Sequence, residues 1–107
     1  MVVKFDDLRA SYQRISKYLV RTPIVTSEQL NKTFKANLFL KNEVEQLTGS
    51  FKIRGALSAL SKLKEEGIEG VVAFSSGNHA QGVSKACLLY TSPSPRDATL
   101  SRMPSSA

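Results

Sequence analysis

The chain has 107 residues, 41% hydrophobic and 22% charged, so one small domain or a piece of a larger one is expected, and neither a multidomain machine, a fibrous repeat nor global disorder. Its net charge is +6, yet the 15 Lys and Arg residues are spread singly or in pairs from Lys4 to Arg102, so no basic face for nucleic acid is expected. No apolar run approaches the roughly 20 residues that cross a bilayer, and the single cysteine, Cys87, excludes an internal disulfide or a cysteine-based metal site.

The N-terminal segment, with Asp6 and Asp7 after one lysine, lacks a signal-peptide core, so a cytoplasmic chain without membrane contact is expected. Phe5, Leu8, Tyr12, Ile15 and Leu19 recur at three- and four-residue intervals. That spacing predicts an amphipathic helix, with the two aspartates near its positive end. After Arg21-Thr22-Pro23 comes a β-branched run from Ile24 to Thr26, and Ser27 is placed to cap a brief helix through about Lys32. Asn37 to Lys41 suits a strand. Ser50 then stands as N-cap before a long helix in which Ile53, Leu57, Leu60 and Leu63 share a face, and Gly67 sits where a left-handed cap would end it. Val71 to Phe74 reads as a buried strand, followed by Ser75-Ser76-Gly77-Asn78-His79 and a helix from Asn78 to Cys87. Helices alternating with strands predict an α/β layer with parallel strands, in which ligands gather at the C-terminal ends of the strands.

Composition changes abruptly after Cys87. Leu88 to Ala107 holds three of the four prolines, five serines and two threonines. Pro93, Pro95 and Pro104 remove donors and bias the residues before them away from helix. The expected division is therefore residues 1–87 as a folded portion of a larger domain and residues 88–107 as a disordered or foreign tail resembling translated vector or adaptor material.

Two constellations carry chemistry. Lys52 falls in the first turn of its helix, where the partial positive charge of the helix end disfavours an ammonium. A neutral amine is the form that attacks an aldehyde. Taken alone, a lysine at such a position can equally point into solvent. The second constellation is the loop Ser75 to His79 between strand and helix. Small residues allow close approach of a ligand, and the first amides of the helix are free to donate to an anion such as a carboxylate. Taken alone, this loop can equally be a plain turn capped by Ser76 or Asn78. Cys87, on a helical stretch, is read as core packing.

Together, S-F-K-I-R-G-A at Ser50 to Ala56 and F-S-S-G-N-H-A-Q-G-V at Phe74 to Val83 resemble the fold-type II pyridoxal-phosphate enzymes, in particular the threonine and serine dehydratases with serine racemase. R-T-P-I at Arg21 to Ile24 and L-F-L-K-N-E at Leu38 to Glu43 extend the similarity, which covers about Phe5 to Cys87. The resemblance implies part of a three-layer α/β fold of the tryptophan synthase β-like type. It implies pyridoxal 5'-phosphate as cofactor and an amino acid as substrate. Lys52 matches the lysine that binds the cofactor aldehyde covalently and later shuttles the substrate α-proton. Phe51 would pack beside the cofactor ring, and Asn78 matches the residue that hydrogen-bonds its phenolic oxygen. Ser75, Ser76, Gly77, Asn78 and His79 match the loop that holds the substrate carboxylate. Ser76 stands where the racemase keeps its proton donor on the opposite face, a position often alanine in pure dehydratases.

The resemblance thus implies dehydration and deamination of L-threonine or L-serine to a 2-oxo acid and ammonia, with racemisation as the alternative. The family's glycine-rich phosphate loop is absent from this sequence, as is the residue that meets the pyridine nitrogen. The segment alone is expected to be inactive, the full-length relative to be a homo-oligomer, and any metal site known among relatives to lie elsewhere. A non-catalytic module holding a small anion is the alternative from another class.

Overall fold

A computed structural model describes residues 2–91, built from four α-helices and one short strand pair. Helix α1 runs Phe5–Ile15, and its first turn is closed by the Asp7 carboxylate, which accepts the Lys4 amide at 2.8 Å. A single 3-10 turn, Ser16–Tyr18, follows, so Leu19 leaves the helix in extended conformation and does not continue it. Ile15 is buried, whereas Phe5 keeps 67% of its surface exposed, and Leu8 and Tyr12 are likewise exposed. The predicted apolar stripe exists, but only its C-terminal end meets the core.

Strand β1 (Ile24–Val25) pairs with β2 (Leu40–Lys41) in the register Ile24 to Lys41 and Val25 to Leu40. The pair is antiparallel, which departs from the parallel layer expected of the Asn37 to Lys41 strand. The reason lies in the connection. Helix α2 (Glu28–Phe34) is capped by Ser27, whose hydroxyl accepts the Leu30 amide at 3.2 Å. Lys35 then adopts the left-handed conformation, and the Leu38 amide donates to Asn31 Oδ1 at 2.8 Å. These contacts fold the chain back along α2, so the returning strand meets β1 from the opposite direction.

Helix α3 spans Lys52–Glu65 and α4 spans Asn78–Thr91. Gly67, at φ 82°, ends α3 as predicted: the Ile68 amide donates to the Leu63 carbonyl at 3.0 Å, a Schellman closure. Ile53 and Leu57 of α3 are fully buried against Val83, Ala86 and Cys87 of α4, Ile15 of α1, and Ala73. Cys87 is thus a core residue, and burial pushes its thiol pKa up, keeping it protonated.

Three expectations are corrected here. The N-cap of α3 falls at Phe51, and the Ser50 hydroxyl, buried, makes no hydrogen bond among the described residues. Thr48 and Gly49 both have positive φ (65° and 73°), and Ser50 leaves this reversal fully extended with its hydroxyl turned inside. Val71 to Phe74 forms no ladder among the described residues, although its burial alternates as in a strand, with Ala73 inside and Val72 and Phe74 outside. Finally, α4 continues past Cys87 through Leu88, Leu89 and Tyr90, where the Tyr90 ring meets Tyr18 edge-on at 5.1 Å. Proline restricts its immediate predecessor, and Pro93 stands far enough on to leave this turn helical. Residues 92–107, which hold the rest of the expected tail, lie outside the described residues.

Candidate active site

Lys52 is the first residue of α3, and its Nζ stands 5.4 Å from the centroid of the neighbouring Phe51 ring, in cation–π range. No acidic residue occupies the first turn of α3 to balance the helix end. Both side chains are exposed and open onto a cleft of about 550 Å³. Its walls include Gly55 from α3, Ala73 from the extended segment, and His79 and Val83 from α4. The amine therefore shares one cavity with a single member of the polar loop, His79.

The remaining loop residues are arranged just outside that wall. Ser75 Oγ accepts the Gly77 amide at 3.2 Å, tightening the turn, and the Gly77 carbonyl accepts the Gln81 amide at 3.1 Å as the first bond of α4. Asn78 opens the helix, so a helix N-terminus with free amides stands beside the cleft. Ser76, Gly77 and Asn78 are exposed and do not line the cavity. Among the described residues it is Gly77, and not Ser76 or Asn78, that supplies the carbonyl closing the first turn of α4.

One group bearing on the site escaped the sequence reading. Glu43 accepts Arg54 Nε at 2.9 Å and Arg54 Nη2 at 2.7 Å, a bidentate pair, and Thr22 Oγ1 at 2.7 Å. Gln46, itself buried, donates to the Val20 carbonyl and accepts the Val20 amide, each at 2.9 Å, and reaches Glu43 at 3.5 Å. The Arg54 guanidinium holds the Glu43 carboxyl at a pKa of about 2, with hydrogen bonds from Thr22 and Gln46 acting in the same direction against desolvation. This network ties the strand-pair region to α3 two residues after Lys52. Thr22, Glu43 and Arg54 lie in the R-T-P-I, K-N-E and K-I-R segments and Gln46 outside them, yet no spacing rule joins residues 22, 43, 46 and 54 before the chain is folded.

The sequence profile described as pyridoxal-phosphate dependent enzyme matches residues 15–93. The chain belongs to this family. Serine racemase of Schizosaccharomyces pombe is 44% identical over 90 residues, covering 83% of this chain and 28% of that protein. A catabolic L-threonine dehydratase of Escherichia coli is 46% identical over 88 residues, covering 81% of this chain and 27% of that protein. Among solved structures, maize serine racemase superposes with a TM-score of 0.80 at 32% identity, over 99% of this chain and 38% of that one. The chain spans about a third or less of the curated relatives it matches.

The described residues of this chain are therefore a portion of the fold-type II α/β architecture. Its family is one of enzymes, and the similar proteins include lyases and racemases. The family's cofactor is pyridoxal 5'-phosphate. The residues present fit the aldehyde and ring of that group: a primary amine for the aldehyde, an aromatic face at Phe51 for the ring, and a cavity lined mainly by apolar side chains. No helix among the described residues is long and apolar enough to cross a membrane.

Proposed function

We propose that the chain is the N-terminal segment of a pyridoxal-phosphate-dependent ammonia-lyase converting L-threonine or L-serine to a 2-oxo acid and ammonia. The observation that carries this reading is the shared cleft, which Lys52 and Phe51 enter from the start of α3 and His79 enters from the start of α4. Similarity to an L-threonine dehydratase supports the substrate class. Lys52 Nζ is the atom that would hold the cofactor aldehyde and then accept the substrate α-proton, with Phe51 packed beside the ring. The Asn78 amide would donate to the phenolic oxygen. The free amides at the start of α4, together with Ser75, Ser76, Gly77 and His79, would hold the substrate carboxylate and so choose which α-carbon bond is aligned for cleavage. When bound, pyridoxal phosphate supplies the electron sink for the pair left at the α-carbon.

Ser76 supports a second reading. Ser76 is exposed on the loop, and in a chain that works like the serine racemases it resembles its hydroxyl would donate the proton to the face opposite Lys52. Return of the proton there would make the reaction a racemisation. The same family reading carries a small amino-acid substrate, a homo-oligomeric full-length enzyme and a cytoplasmic setting.

The test uses the full-length protein that carries this segment. Lys52→Ala is expected to abolish 2-oxo acid release from L-threonine and L-serine, and undiminished turnover would refute the assignment. Chiral analysis of recovered serine divides the two readings. D-serine that disappears in Ser76→Ala while 2-oxo acid release persists assigns the hydroxyl to racemisation, and absence of D-serine from the unmodified enzyme leaves the lyase alone.

A further inference from the structure

Gly82 lies within α4, where glycine is disfavoured relative to alanine because it has the most backbone freedom to lose. Gly55, Gly67 and Gly77 have open space where a Cβ would stand. Gly82 does not. A Cβ built there would lie 3.2 Å from the carbonyl carbon of Lys52, 3.3 Å from its oxygen and 3.3 Å from the nitrogen of Ile53. All three atoms belong to the peptide joining Lys52 to Ile53, so the neighbour is main chain that cannot swing aside as a side chain tip can. Helix α4 thus rests on the first peptide of α3. Asn78 stands one turn before Gly82 on the same face of α4, and His79 and Val83, also one turn apart, line the cleft.

We propose that Gly82 is a positioning residue whose missing side chain sets the distance between Lys52 Nζ and the Asn78–His79 end of α4. This rests on the reading of Lys52 as the lysine that takes the cofactor aldehyde. A methyl group at position 82 forces the two helices apart by a few tenths of an ångström. Misplacement by about 1 Å can cost on the order of 10²-fold in a positioned reaction, so this smaller shift is expected to lower modification of Lys52 by roughly 3- to 10-fold.

The test mixes the full 107-residue chain with pyridoxal phosphate, reduces it with borohydride, and measures by peptide mapping the share of label at Lys52. Helix content and melting midpoint are followed by circular dichroism on the same samples. Wild type should concentrate its label at Lys52. Gly82→Ala should lose that preference while staying helical. Ile15→Ala, which hollows the core at α1, should lower the midpoint but keep the preference, separating aim from stability. A wild-type preference retained in full by Gly82→Ala overturns the inference and leaves the Lys52 reading intact. Loss of helical signal in Gly82→Ala assigns the glycine to packing alone and also overturns it. Label scattered over many lysines in the wild type overturns the Lys52 reading and this inference together.

Discussion

Glu43 shows how one side chain can tie the site to the rest of the chain. Its pKa of about 2 lies below the ordinary value of 4.5, chiefly because Arg54 donates to both carboxylate oxygens. A carboxylate whose pKa is depressed by folding stabilises the folded state at pH values above the unfolded pKa. That contribution is lost as pH falls from about 4.5 towards about 2. The side chains are 16% and 30% exposed for Glu43 and Arg54, so with allowance for solvent screening the pair is worth roughly 2 kcal/mol near neutrality. Glu43→Gln should therefore unfold at lower urea than wild type at pH 7, and the difference should close near pH 2. A gap of constant size across that range would show that the charge is not its source. Lys52 and His79 stand out in the sequence because each sits at the mouth of a helix, a local feature, whereas Phe51 is marked only by the family resemblance. Glu43, Thr22 and Gln46 do not stand out, because their importance comes from contacts between distant stretches of chain. Ser50 illustrates the same limit: its type suits an N-cap, but two left-handed residues before it turn the hydroxyl inward.

Among the elements, helices were legible where local rules suffice. Ser27 and Gly67 end their helices as their chemistry dictates, one by a side-chain oxygen and one by a left-handed backbone. Gly67 meets nothing within 4 Å where a Cβ would stand, so Gly67→Ala should lose about 1 kcal/mol through backbone strain alone. Gly67→Asn should lose less, since asparagine tolerates the left-handed region better. Urea unfolding of the two variants checks the order, and equal loss in both would place the cost in packing. Strands were less legible because pairing is not local. Ile24 to Thr26 and Asn37 to Lys41 each contribute a two-residue strand, and their antiparallel sense follows from the reversal at Lys35. Val71 to Phe74 is a continuous apolar run in sequence and alternates only in burial, but a ladder also needs a partner strand, and it pairs with none among the described residues.

For the whole molecule, the same alternation governs behaviour in solution. Ala73 is in the core, while Val72 and Phe74 leave 79% and 81% of their surfaces exposed on the other side of an extended segment with no ladder partner among the described residues. Exposed apolar side chains beside unpaired main chain are the combination through which chains associate edge to edge. Self-association through residues 71–74 is the expected consequence, and light scattering across a concentration series would detect it. Replacing Val72 and Phe74 together with threonine keeps the extended preference and removes the apolar contact. Since both side chains lie outside the core, the double variant should stay monomeric to higher concentration and change stability by only about 0.5 kcal/mol. Association equal to wild type would move the contact elsewhere, to the exposed stripe of Phe5, Leu8 and Tyr12 on α1. A large loss of stability would instead mean that this segment is held in place by the side chains it exposes, and not by Ala73 and the helices beneath it.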